Sequence, residues 1–70
     1  MSELVARTWT VAGMTCDHCV ASVSEEVSEL PGVRSVDVVL DGGRLTVESD
    51  GPLSEHDVRA AVEEAGYRLV

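Results

Sequence analysis

The 70-residue sequence contains no Phe and no Ile, and its aromatic side chains are limited to Trp9 and Tyr67. Much of the apolar content is Val, so a core must be built from small branched side chains. These favour strands and a thin two-layer packing over a thick helical bundle. No apolar run approaches the roughly 18 residues that a membrane-spanning helix needs. The opening Met1-Ser2-Glu3-Leu4 has neither the basic stretch nor the apolar segment of a secretion signal, which predicts a cytoplasmic protein. Cationic charge is also scarce: Lys and Arg together number 5 against 13 Asp and Glu, a net charge of −8. That balance argues against nucleic acid and against an anionic membrane surface, both of which would repel the chain. It fits a protein partner with a basic face. Only two cysteines are present, in the run Cys16-Asp17-His18-Cys19. A secreted disulfide scaffold of this size carries four or more, spread along the chain.

The length predicts one domain over residues 1–70. A chain this short buries only about 60% of its unfolded surface, so its core is marginal and a metal or very regular packing helps it. Little chain is left to build a substrate cleft, which points to a binding protein and away from an enzyme.

Leu4 to Ala12 alternates around Trp9 and Val11, with Thr8 and Thr10 on the other face, a strand period. Gly13 ends it, and Met14 to Asp17 form a loop. Val20, Val23, Val27 and Leu30 then recur at helical spacing on one face, with Ser24, Glu25 and Ser28 outward. Pro31-Gly32 stops that helix. A strand from Val33 to Leu40, with Val36, Val38 and Leu40 on one face, leads through the turn signal Asp41-Gly42-Gly43 into a returning strand carrying Leu45 and Val47 inward. After Asp50-Gly51-Pro52, Ser54 is placed to cap a second helix. Asp57 stands three residues on, near capping-box form, and Leu53 and Val58 take the two positions of a hydrophobic staple. Val58, Ala61, Val62 and Ala65 form its inner stripe, Gly66 closes it, and Tyr67 to Val70 make a short last strand. The order βαββαβ predicts an α+β ferredoxin-like sandwich: a four-stranded antiparallel sheet with two helices on one face.

On this layout Cys16 falls in the loop after the first strand and Cys19 in the first turn of the first helix. The spacing brings both sulfurs to one side of a tight turn, within reach of one ion. The helix N-terminus adds free N–H groups and partial positive charge, which favour the thiolate that binds metal. Two thiolates make an incomplete tetrahedral site, whereas structural Zn(II) takes four protein ligands. Cu(I), soft and with a filled d shell, accepts two thiolates in near-linear geometry. An exposed low-coordinate site also admits a partner's thiolate as a third ligand, so the ion moves without being released.

The run Gly13-Met14-Thr15-Cys16-Asp17-His18-Cys19 resembles the G-M-T-C-x-x-C signature of the heavy-metal-associated domain family, and within it the bacterial copper chaperones. Leu30-Pro31-Gly32-Val33 and Ala65-Gly66-Tyr67 match the family as well, so the resemblance covers nearly the whole chain. It implies that Cys16 and Cys19 are the metal ligands, that Cu(I) is the cargo, and that Met14 packs beneath the loop without ligating. Family members selective for Zn(II) or Cd(II) tend to have Asp directly before the first Cys; Thr15 stands there in this chain and favours Cu(I). The Tyr67 position is commonly Tyr in free-standing bacterial chaperones, and its hydroxyl is a candidate hydrogen-bond donor to the sulfurs from outside the metal's own ligands. The implied partner is the N-terminal metal-binding domain of a copper-exporting P-type ATPase, with a copper-responsive repressor as a second and a copper-bridged homodimer as a further assembly. His18, between the cysteines, is read as tuning the thiols or bridging in such a dimer, and His56 as facing solvent.

Three other readings of the same residues stay open. The chain is also compatible with an N-terminal domain of such an ATPase, or with a Zn(II) or Hg(II) carrier of the same fold. The third, a thiol oxidoreductase, shares the C-x-x-C spacing at a strand-to-helix junction. Thioredoxin-like folds need a longer chain, however, and Trp9 lies well away from the cysteines.

Overall fold

The computed structural model describes residues 4–70; the N-terminal Met1-Ser2-Glu3, on which the reading of the leader rests, lies outside them. In chain order the elements are β1 (Val5–Ala12), α1 (Asp17–Ser28), β2 (Val33–Val39), β3 (Arg44–Ser49), α2 (Glu55–Glu64) and β4 (Arg68–Leu69), with a single 3-10 turn, Asp41–Gly43, between β2 and β3. The strands form one sheet in the order β2-β3-β1-β4, and every pairing is antiparallel. Each helix thus connects two parallel strands that are separated by a third, the interlocked split βαβ arrangement of the ferredoxin-like fold.

Alternation decides which side of the sheet is covered. On β3, Leu45, Val47 and Ser49 are buried while Thr46 and Glu48 are partly exposed. Val23 and Val27 of α1 and Val58, Ala61 and Val62 of α2 join Val11, Leu45 and Val47 in one core, so both helices lie on the same face. The opposite face is polar, with Thr8 paired to Thr46 through their hydroxyls and the Ser35 hydroxyl donating to Glu48.

Two local expectations give way to tertiary structure. Leu40 does not continue the inner face of β2. Its backbone is helical (φ −63°, ψ −43°), its carbonyl accepts from Gly43 N–H at 3.1 Å, and its side chain is exposed. It opens the turn instead of closing the strand. Ser54 occupies the cap position of α2 with extended backbone, but its hydroxyl makes no capping hydrogen bond. The staple beside it does form, with Leu53 and Val58 both buried in the core. The register also shifts by one residue between Val33 and Ser35, a bulge that the alternation of β2 did not announce. Arg34 lies within it and bonds Asp50 through Nε at 2.8 Å.

The end of α2 sets up the site. Gly66 has φ +97°, the left-handed conformation that only glycine enters without steric cost. Gly66 N–H donates to the Glu63 carbonyl and Tyr67 N–H to the Val62 carbonyl, the paired bonds of a Schellman motif. That closure turns the chain back toward β1, where Leu69 pairs with Val11 and Arg68 with Ala12. Tyr67 is thereby brought beside the loop that follows β1.

Candidate metal centre

β1 ends at Ala12, and Gly13 turns the chain with φ +98°. Met14 is half-buried and packs against the core, which anchors the loop from below as a hydrophobic side chain should. Cys16 then takes the cap position of α1. Its backbone is extended (φ −158°, ψ 172°), and its carbonyl accepts from the N–H groups of Cys19 at 3.0 Å and Val20 at 3.3 Å. Its thiol makes no capping bond, so the sulfur is left free at the helix end. Cys19 projects from the same turn, and the two sulfurs stand 3.4 Å apart. A disulfide has about 2.05 Å between its sulfurs, so both cysteines are free thiols.

The two sulfurs differ in environment. Cys16 is exposed; Cys19, at 8% exposure, is buried. Only Cys16 of the pair therefore lies at the surface. Hydrogen bonding favours the ionised form of Cys19. The Thr15 backbone contributes most, followed by the Tyr67 hydroxyl and the Cys16 side chain, and together they lower the Cys19 pKa from 9.0 to about 6 against the opposing effect of burial. The Thr15 hydroxyl also stands 3.9 Å from the Cys19 sulfur. Tyr67 is shifted the other way: donating to Cys19 holds its proton, and its pKa rises above 10.0.

Of the residues singled out in the sequence, the fold brings Cys16, Cys19 and Tyr67 together. Asp17 and His18, between the cysteines, are exposed, as is His56 in the first turn of α2. Among the described residues, no group of three or more His, Cys, Asp or Glu side chains is placed to hold one ion. Thr15 entered the sequence reading only as a marker of metal preference; the signal for its role at Cys19 was its place just ahead of the helix cap. Gly13, which ends β1 and opens the signature, has a further role: a Cβ there would stand 3.4 Å from the Tyr67 ring.

An open-faced βαββαβ sandwich with two free thiols at the first strand-to-helix junction defines a small metal-binding domain. The chain belongs to the heavy-metal-associated domain family, which matches residues 8–68. It is 42% identical over 62 residues to the copper chaperone CopZ of Bacillus subtilis, covering 87% of this chain and 90% of that one. A solved CopZ metallochaperone superposes with a TM-score of 0.87 at 31% identity, over 94% of this chain and 100% of the other. The chain is also 40% identical over 63 residues to copper-transporting ATPase 2 of Rhizobium meliloti, covering 90% of this chain and 8% of the transporter. No described helix is long and apolar enough to cross a membrane.

Proposed function

We propose that this protein is a cytoplasmic Cu(I) carrier that binds one ion between Cys16 and Cys19 and passes it by thiolate exchange to the N-terminal metal-binding domain of a copper-transporting P-type ATPase. The observation that carries the reading is the pair of free sulfurs 3.4 Å apart at the end of α1, one exposed and one buried. Similarity to proteins named copper chaperones supports copper as the cargo, and similarity to a short stretch of a copper-transporting ATPase supports a partner of the same fold.

The geometry suits transfer. With a metal–sulfur bond of about 2.3 Å, as for Zn–S, sulfurs 3.4 Å apart subtend roughly 95° at the ion. Near-linear ligation needs about 4.5 Å on the same scale, so loading parts the sulfurs by about 1 Å. The exposed Cys16 has the freedom to make that movement, because its side chain bonds no helix N–H group. Cys19, buried and with its sulfur 3.9 Å from the Thr15 hydroxyl, is the more constrained of the two. A thiolate arriving from solvent meets the ion on the Cys16 side, forms a three-coordinate intermediate and displaces Cys16 first. No bond to carbon is made or broken and no electron moves, so the protein acts as a carrier and not as an enzyme. A net charge of −8 fits a partner with a basic surface.

Anaerobic titration of the reduced protein with Cu(I) against a competing chelator, with Zn(II) in parallel, tests the reading. One equivalent of Cu(I) held far more tightly than Zn(II) is expected. Weak Cu(I) binding would move a Zn(II) or Hg(II) carrier, or a thiol oxidoreductase, ahead of it. The transporter match favours one second reading, that the chain is itself a metal-binding segment of an ATPase; a transporter encoded in the same reading frame would establish that instead.

A further inference from the structure

We draw no further inference here: the strongest candidate, the acidic surface patch on the outer faces of α1 and α2 formed by Glu25, Glu29, Glu63 and Glu64, is a cluster of solvated carboxylates, and nothing in the structure shows what covers it.

Discussion

The ring of Tyr67 packs over Gly13, with Cδ1 3.4 Å from the position a Cβ on Gly13 would take. That contact, together with the Schellman closure of α2, sets Tyr67 beside the metal loop, where its hydroxyl helps to lower the Cys19 pKa. A residue from the far end of the chain thus helps to set the ionisation of a thiol in the first helix.

Tyr67→Phe keeps the ring and removes the donor. The Cys19 pKa is expected to rise, and Cu(I) affinity to fall by up to about tenfold, the lower end of what loss of an outer partner costs. Thiolate ultraviolet absorbance against pH, alongside chelator competition, measures both. A large drop in unfolding midpoint would show instead that the hydroxyl serves mainly the fold.

Cys16→Ser and Cys19→Ser should each weaken Cu(I) binding by more than the roughly tenfold to hundredfold expected of an outer-partner change. Circular dichroism should show both variants folded, with Cys16→Ser the less perturbed because Cys16 is exposed and Cys19 buried. Tight one-equivalent binding retained by either variant would overturn the ligand assignment.

The folded pKa of Cys19, about 6, lies below its ordinary 9.0. A depressed thiol pKa contributes stability that is complete above the unfolded value and is lost as pH falls through the folded value. The metal-free protein should therefore gain stability between about pH 6 and pH 9 from this group. Urea unfolding of the reduced protein across that window should show a rise that is smaller in Cys19→Ser. Equal slopes for the two proteins would remove Cys19 as the source.

Gly43 combines a positive φ of +65° with close approach to β1, where an added Cβ would collide with the Val11 carbonyl. Gly42, at φ +83°, has open space around it. Gly42→Ala should cost about 1 kcal/mol, the left-handed penalty alone. Gly43→Ala should cost more, about 2–4 kcal/mol, since backbone must also shift. Equal midpoints in urea for the two variants would show that the hairpin relaxes freely away from β1.

Leu45 is fully buried between the sheet and both helices. Leu45→Ala should cost about 2–5 kcal/mol, a large share of the stability of so small a domain. Cu(I) at about a hundred times its dissociation constant should restore about 2.7 kcal/mol by mass action. Thermal unfolding with and without Cu(I) reads this directly. An unchanged midpoint would mean that the metal does not prefer the folded state.

What the sequence determined by itself was local. Backbone geometry ties Cys16 and Cys19 to one turn once a helix starts at Asp17, and the valine spacing of α1 and α2 marks their buried stripes. Gly66 announced the end of α2 because a left-handed residue there closes a helix. The order of elements, read with the rules of chain crossing, was enough for the topology. Tertiary structure decided the rest. Burial of Cys19 but not Cys16, and the approach of Tyr67 to both Gly13 and Cys19, depend on how α2 and β4 pack against β1. The same holds for the departures of Leu40 and Ser54 from their expected roles and for the bulge at Arg34. Spacing along a chain fixes which side chains share a turn; only packing of elements distant in sequence fixes which turns meet, and with them the electrostatic environment of the thiols.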